Sequence, residues 1–378
     1  MDNVKFEISN GRIDYITAKG DTSGVLHVPD SVRVIDDGCF MYWSEMSGIL
    51  LPEGITRIGD RAFLDCRSLQ NIPLPESLAV IDDCAFLRCE SLRSIRIPKN
   101  VSQIGKSAFG GCTNLSRIEV DERNPFFTSR KGVLYDRDMR TLLCCPCGSS
   151  CFDIPESVTR LGDSAFRSCG RLERIRVPGH VKHIGRCAFK DCGNLREIHI
   201  DDGVAVIGEK AFAWCGNLEE AFIPESVREI GYELFERSEM LSELHLPSHL
   251  AGHLDDMLSG VDDPVLLCIR DFAAVPENRR FYAAVGFACE KRSTEDKNGK
   301  LYMAYIAAHV PEMLEFAAEY PEDIMPDLLP LLMRHNLITI GQLEEITDTV
   351  LDIGDTQLTA AMLAYKHSLD NKGWDLTL

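Results

Sequence analysis

The cysteines of the stretch CCPCGSSC are the residues of this sequence whose spacing most directly suggests chemistry. Cys144, Cys145, Cys147 and Cys151 fall within eight residues. The pair Cys144-x-x-Cys147 has the spacing of a metal-binding knuckle, and zinc takes four such ligands in a tetrahedron. The same thiols could instead form a redox-sensitive pair or be inert side chains. The choice depends on the elements that hold them.

A repeat of 23 residues surrounds these cysteines and organises most of the chain. Phenylalanine recurs every 23 residues, except for one step of 57 that holds one repeat and 34 inserted residues. The repeated phenylalanines are Phe40, Phe63, Phe86, Phe109, Phe166, Phe189, Phe212 and Phe235. Proline recurs in its own register, and Asp121 and Asp201 occupy the two positions that lack it. A repeat of this length indicates a solenoid, because a single repeat can bury its apolar face only against its neighbours.

Each repeat follows the pattern C-x-x-L-x-x-I-x-I-P-x-x-V-x-x-I-G-x-x-A-F. The L-x-x-I-x-I segment predicts a short strand whose alternate side chains are buried. The proline ends that strand, and V-x-x-I-G predicts a second short extended segment. The A-F-x-x-C segment predicts one helical turn, with the phenylalanine as the large side chain of the core.

This repeat resembles the BspA-type leucine-rich repeat, and residues 155–174 match that consensus at almost every position. The resemblance covers about residues 5–260. It implies an α/β repeat solenoid: a right-handed leucine-rich repeat superhelix with a parallel sheet of short strands and an inserted β-hairpin, followed by a small all-α C-terminal region. A fold alone does not specify an activity. Exported members of the family are surface adhesins, which makes adhesion an alternative function for this chain.

The opening cysteines lie in the insertion, at about residues 121–151. Residues 132–135 and 141–144 predict a hairpin around a polar turn, and they resemble the hairpin that interrupts solenoids of this family. The resemblance places Cys144, Cys145 and Cys151 at strand positions that other members fill with apolar or small residues. The sequence therefore favours inert thiols and predicts no cofactor. A metal or thiol sensor at residues 144–151, including Cys147, remains an alternative.

A second group of cysteines lies three residues after the repeated phenylalanine. Its members are Cys66, Cys89, Cys112, Cys169, Cys192 and Cys215. A free cysteine behaves as a small buried apolar residue, and we expect that role here. A reducing cytosol argues against disulfide bonds between neighbouring repeats.

The residue between the two buried positions of each strand is predicted to face out on the concave side of the solenoid. Neighbouring strands are about 4.8 Å apart, so these residues are expected to form a ribbon. The predicted partner-binding residues are Arg96, Glu119, Asp153, Arg176, His199, Phe222 and His245. An exposed phenylalanine beside histidine and arginine is a typical anchor for a protein partner.

The repeat weakens after Phe235, and the sequence predicts three segments. Residues 1–276 form the solenoid, with a capping strand at about 263–276, because terminal repeats need a cap. Residues 277–300 form a linker, and residues 301–378 form a helical domain that looks ankyrin-like. Thr339 and Asp355 precede helical patterns and are suited to cap them.

Composition excludes several functions. The formal net charge is −19, and residues 301–378 hold 13 acidic against 3 basic side chains, so nucleic acid and anionic membranes are poor partners. Hydropathy predicts no membrane insertion. The sequence contains no recognisable catalytic motif, so we do not expect an enzyme. We therefore expect a non-enzymatic protein–protein interaction scaffold in a bacterial cytoplasm. Cell-surface or secreted localisation is the alternative if a leader peptide has been removed.

Overall fold

The chain divides into two compact units. The computed structural model describes residues 4–18, 24–146, 150–261, 265–290 and 292–372. The first unit comprises Met1–Leu241 and His253–Asp263, and the second comprises Ser242–Gly252 and Pro264–Leu378. The repeats lie in the first unit and most of the helices lie in the second.

The first unit is built from short strands. Before the insertion they are β1 (Val4–Ser9), β2 (Arg12–Ala18), β3 (Val25–His27), β4 (Val34–Ile35), β5 (Gly48–Leu50), β6 (Arg57–Ile58), β7 (Val80–Ile81), β8 (Ser94–Ile97), β9 (Gln103–Ile104) and β10 (Arg117–Val120). The insertion holds β11 (Phe127–Arg130), β12 (Val133–Asp136) and β13 (Thr141–Cys144). After it come β14 (Arg160–Leu161), β15 (Arg174–Val177), β16 (His183–Ile184), β17 (Glu197–Ile200), β18 (Val206–Ile207), β19 (Glu220–Phe222), β20 (Glu229–Ile230) and the short helix α1 (Leu254–Met257).

These strands pair in two parallel series, which confirms the predicted solenoid. The strands of the L-x-x-I-x-I segments pair as β3 with β5, β8 with β10, and β15 with β17 and then β19. The two-residue strands pair in the orders β4-β6-β7-β9 and β14-β16-β18-β20. The alternation of apolar and polar residues sets the faces: in β8, Ile95 and Ile97 are buried and Arg96 is exposed.

The repeated phenylalanines form two columns in the core. Phe40, Phe63, Phe86 and Phe109 stack in sequence with ring centroids 5.2–5.5 Å apart. Phe166, Phe189, Phe212 and Phe235 stack in the same way at 5.0–5.8 Å. All eight side chains are at most 3% exposed. Each ring therefore packs against its counterpart in the neighbouring repeat, as expected for a solenoid.

The A-F-x-x-C segments form hydrogen-bonded turns, so the predicted helical turn is wrong. The residues two before and two after the phenylalanine adopt left-handed backbone, as at Arg61 and Asp65 (φ 53° and 57°). A helix cannot continue through such residues. The turns stack instead, because the amide of Phe63 donates to the carbonyl of Ala85 in the next repeat at 2.8 Å. The same bond recurs from Phe189 to Ala211.

The insertion forms the predicted hairpin and one additional strand. β12 pairs antiparallel with β13, and β11 pairs antiparallel with β12. β13 then pairs in parallel with β14, so the hairpin continues the ladder of two-residue strands. Asn124 is fully buried at its base and donates to the carbonyls of Pro98 and Val101, both at 2.9 Å. Its side-chain oxygen accepts from the amides of Phe126 and Phe127.

The second unit begins with two parallel strands, β21 (Glu243–His245) and β22 (Leu266–Cys268), the latter inside the predicted capping segment. The helices that follow are α2 (Arg280–Cys289), α3 (Lys297–Ala308), α4 (Val310–Glu319), α5 (Pro321–Arg334), α6 (Ile340–Glu345), α7 (Thr347–Ile353) and α8 (Thr356–Lys372). Thus α2 and the first residues of α3 lie within 277–300, the segment predicted as a linker. No helix among the described residues combines the length and the apolar character needed to cross a membrane.

Two of the helices begin at the predicted caps. Thr339 accepts from the amide of Gln342, whose side chain in turn accepts from the amide of Thr339, forming a capping box. Asp355 accepts from the amides of Gln357 and Leu358 at the start of α8. The predicted helical, ankyrin-like domain, residues 301–378, contains most of α3 and all of α4, α5, α6, α7 and α8.

Candidate interaction surface and cysteine sites

Three predicted partner-binding residues form one row across neighbouring strands. Arg176 on β15 is in register with His199 on β17, and His199 is in register with Phe222 on β19. All three face outwards, because they alternate with buried residues of the core. The Phe222 side chain is 38% exposed. We call Arg176, His199 and Phe222 the strand-face row.

Asp201 holds the two polar members of the strand-face row. It follows β17 directly and accepts from Arg176 Nε at 3.0 Å. His199 Nε2 lies 3.1 Å from its Oδ1 atom. The hydrogen bond and the charge of Asp201 raise the pKa of the Arg176 guanidinium. Both side chains are therefore oriented by the protein itself, although both are exposed.

A similar arrangement lies in the preceding repeats. Arg96 on β8 is exposed and in register with Glu119 on β10. Arg96 contacts Glu76 at 3.0 Å and Asp121 at 2.7 Å. Hydrogen bonds from Arg123, together with the charge of Arg96, hold the pKa of Asp121 well below its usual range. Asp121 and Asp201 thus place a carboxylate beside an outward-facing arginine at the positions that lack the repeated proline.

The two remaining predicted residues, Asp153 and His245, have different surroundings. Asp153 is exposed and lies outside the named strands. His245 lies on β21 in the second unit, is partly buried, and contacts Glu243 and Glu290. The predicted ribbon therefore includes a residue whose side chain is engaged in a separate polar cluster.

Sequence reasoning missed the roles of Asp121 and Asp201. Both aspartates were recognised as substitutes for proline, but the arginines that they contact were not predicted. A usable signal was present, because each aspartate follows its arginine by 25 residues, as in Arg96 with Asp121 and Arg176 with Asp201. That separation is one repeat plus two residues, which places the carboxylate just beyond the end of the neighbouring strand.

The cysteines of CCPCGSSC do not share one environment. Cys144 ends β13, is 7% exposed and belongs to the apolar core, with its sulfur 4.0 Å from the carbonyl of Phe109. Cys145 is also buried, whereas Cys151 is exposed. Cys147 lies outside the described residues. Burial of the first two thiols favours the inert interpretation over a sensor.

The cysteines three residues after the phenylalanine form a column of hydrogen bonds. Cys66, Cys89, Cys112, Cys192 and Cys215 each place their sulfur 3.1–3.2 Å from the carbonyl oxygen of the phenylalanine in the preceding repeat. Ser238 occupies the same position in the last repeat and donates to Phe212 at 2.9 Å. Burial raises the pKa of Cys66 and Cys215 to about 12, so both remain protonated donors at neutral pH. The sequence predicted that they are buried but not that they donate.

Comparisons with solved structures agree with this fold. The pneumococcal vaccine antigen PcpA is 24% identical with a TM-score of 0.54, and the match covers 58% of this chain and 61% of that one. The match thus spans less than two thirds of the PcpA chain. A leucine-rich cell surface protein from Faecalibacterium prausnitzii is 23% identical with a TM-score of 0.54, over 69% of this chain and 85% of that one. At these identities the likeness concerns the fold alone.

A comparison with curated proteins found no match. The model of the BspA-type leucine-rich repeat region matches in six copies, over residues 24–130 and 143–256. These residues are more than half of the chain, and they contain both phenylalanine columns. The resemblance in the repeat pattern is confirmed, and the chain belongs to the BspA-type leucine-rich repeat family.

Proposed function

We propose that the chain is a non-enzymatic scaffold that binds a protein partner on the exposed strand face, with Phe222 as the aromatic anchor. The observation that carries this proposal is the strand-face row. It combines an exposed aromatic side chain with an arginine and a histidine on adjacent strands in register. Aromatic and arginine side chains dominate the binding energy of many protein interfaces.

The restraint of the two polar side chains of the strand-face row supports the same function. Asp201 restrains Arg176 and His199 before any partner is present. Binding costs free energy when flexible side chains must be ordered, so a restrained surface loses less on association. We extend the proposed surface to Arg96, Glu119 and Asp153, which are also exposed.

The thiols support a non-enzymatic role. A cysteine nucleophile needs a lowered pKa. The described cysteines whose pKa values are shifted are all shifted upwards by burial, as at Cys39, which reaches about 12. Repeat scaffolds serve binding by presenting an extended surface of side chains.

For the cellular location we propose the cytoplasm, with the cell surface as a second candidate. The names of the two structural relatives, a vaccine antigen and a cell surface protein, favour the second. There the same strand face would bind host or cell-surface proteins, as an adhesin does. Protease treatment of intact source bacteria, followed by fractionation and detection with an antibody against the chain, separates the two locations. Only a protein on the cell surface is removed from intact cells by protease.

The binding proposal is tested by capture of partners on the immobilised full chain. The native chain is compared with Phe222→Glu, which replaces the aromatic member of the strand-face row by a charged side chain. Phe126→Glu is the matched control, because Phe126 is a 49% exposed phenylalanine in the insertion, directly before β11. Captured proteins from bacterial lysate and from host extracellular matrix are identified by mass spectrometry.

A protein captured by the native chain and by Phe126→Glu, but not by Phe222→Glu, supports the proposal. Equal capture by all three chains shows that binding uses another surface. Circular dichroism must show the same melting transition for all three, because Phe222 is assigned to the outer face. Loss of that transition in Phe222→Glu alone contradicts the assignment.

A further inference from the structure

We infer that Glu243, His245 and Cys268 form a binding site for one transition-metal ion, and that zinc is the ion their donor atoms suit best. One ligand atom from each residue lies within 4.8 Å of the other two. Among the described residues, this is the one group of three or more such side chains that meets this distance. Two of the residues were not singled out by the sequence, and His245 was predicted to bind a protein partner.

The strands bring the three donors together. His245 on β21 is in register with Cys268 on the parallel strand β22. Glu243 precedes His245 by two residues, so its side chain emerges on the same face. All three residues belong to the second unit, and the site is therefore complete within one compact part of the chain.

The distances between the donor atoms suit a metal ion in place of the protons that now link Glu243 to Cys268 and to His245. Glu243 Oε1 lies 3.0 Å from Cys268 Sγ and 3.1 Å from His245 Nε2. A tetrahedral zinc ion with bonds of about 2.0–2.3 Å holds neighbouring donors roughly 3.3–3.7 Å apart. The two separations from Glu243 would need to lengthen by about 0.5 Å or less to admit an ion, and the donor atoms of His245 and Cys268 lie within 4.8 Å of each other. Binding would release the thiol proton of Cys268, since metal ligands must be deprotonated.

A second carboxylate holds the far side of the imidazole. His245 Nδ1 lies 3.3 Å from Glu290 Oε1, and Glu290 pairs with Arg292. Metal-bound histidines typically donate their other ring N–H to a carboxylate in this way, which fixes the tautomer and the ring orientation. This contact is independent of the distances among the three donors.

The approach of α2 to β22 places Glu290 at the site. Glu290 directly follows α2, and Gly286 one turn earlier lies against the backbone of Leu267. A Cβ atom on Gly286 would be 2.9 Å from the carbonyl oxygen of Leu267, so only glycine permits this approach without displacement. Leu267 is adjacent to Cys268, and the glycine thereby brings the end of the helix to the cysteine.

Charge and donor type point to zinc. A thiolate and a carboxylate neutralise a divalent ion, a neutral imidazole completes the set, and the Glu290–Arg292 pair is itself neutral. Sulfur and nitrogen donors select zinc over magnesium and calcium, which prefer oxygen ligands. Three protein ligands leave the fourth tetrahedral position for water or a carboxylate.

The test uses the full chain, reduced and freed of metal by a chelator. Zinc ions alone are titrated in competition with a chromophoric chelator, and cobalt ions are added separately. We expect one zinc per chain, and a near-ultraviolet band from cobalt bound to thiolate. Cys268→Ser and His245→Gln should each weaken zinc binding by more than about a hundredfold, and Glu290→Gln by about tenfold to a hundredfold.

Two controls separate this site from other thiols. Cys192→Ser changes a buried cysteine of the hydrogen-bonded column, and Cys151→Ser changes the exposed cysteine of CCPCGSSC. Both should bind zinc as the native chain does. Absence of stoichiometric zinc binding overturns the inference, and so does binding that survives Cys268→Ser or disappears with Cys151→Ser. The cobalt spectrum and the partly exposed Glu290 keep the test decisive if Cys268→Ser fails to fold.

Discussion

Arg176 and Asp201 form an ion pair between neighbouring repeats, with Arg176 Nε 3.0 Å from both carboxylate oxygens and Nη2 2.9 Å from Oδ2. The same carboxylate contacts His199. One aspartate at a position vacated by proline therefore orients two residues of the strand-face row, and it is a positioning residue of the proposed surface.

Replacing Asp201 by asparagine should weaken partner binding without changing the thermal stability. Asparagine keeps the size of the side chain but removes the charge that holds Arg176 and His199. Exposed ion pairs contribute little to stability, so the melting transition should not shift. Titration of the captured partner against both chains measures the effect, which should diminish at high salt. Unchanged affinity at low salt would show that the orientation of Arg176 is irrelevant to binding.

Asp121 should make stability depend on pH in the acid range. Its pKa in the folded chain is held below its usual value by Arg123 and Arg96. The carboxylate therefore stabilises the fold at pH values above its ordinary pKa of about 4, and this contribution is lost as the pH falls towards the lowered value. Urea unfolding between about pH 6 and pH 3 should show a steeper loss for the native chain than for Asp121→Asn. Parallel curves for the two chains would contradict this.

Removal of a ring from the middle of a column should cost much of the folding free energy. Phe189 stacks against Phe166 at 5.0 Å and Phe212 at 5.6 Å. Phe189→Ala should lower the free energy of unfolding by about 3–5 kcal/mol, because it leaves a cavity in the core. The exposed Phe126→Ala should change it by less than about 0.5 kcal/mol. Chemical denaturation measures both, and a loss below about 1 kcal/mol for Phe189→Ala would mean that the column is not the core.

The cysteine column should tolerate serine better than alanine. Cys192 donates to the buried carbonyl of Phe166, and Ser238 makes the equivalent bond to Phe212. Cys192→Ala removes one of two donors to this carbonyl, which still accepts from the amide of Cys169, and should cost about 0.5–1.5 kcal/mol. Cys192→Ser retains a donor and should cost less. Denaturation of the two variants decides the matter, and a serine variant less stable than the alanine variant would show that thiol packing outweighs the hydrogen bond.

Asn124 should be essential to the inserted hairpin. Its buried amide makes four hydrogen bonds to the backbone, and Asn124→Ala should cost about 3 kcal/mol by leaving buried groups unpaired. The exposed Asn114, whose side chain donates to the carbonyl of Glu90, serves as the control. Asn114→Ala should have little effect. Equal losses for the two variants, measured by denaturation, would show that the hairpin does not depend on the buried amide.

The regular part of the fold could be predicted because the same pattern of apolar residues recurs in each repeat. The 23-residue register identified the buried phenylalanines, and the turn residues identified the pairing of β12 with β13. β11 was missed because Thr128, Ser129 and Arg130 make its sequence mostly polar. The helical turn was wrongly predicted because a pattern of apolar spacing does not reveal left-handed backbone at residues such as Trp214.

The polar sites could be predicted only in part. Which residues face outwards follows from alternation along a strand, and this held for Arg176, His199 and Phe222. Which charges meet depends on the offset between stacked repeats and on helix placement. The contact between His245 and Glu290 joins a strand to the end of a helix, 45 residues apart in sequence. No local pattern encodes such a separation.

The column of cysteines also provides a natural probe of local opening in each repeat. Each sulfur is shielded as long as its turn stays hydrogen-bonded to the preceding one, as Cys89 is to Phe63. A thiol-labelling reagent under native conditions can react only when the two turns separate. The rate at which each cysteine is modified would therefore rank the repeats by their opening free energy, from the ends of the coil to its middle, without the introduction of any probe.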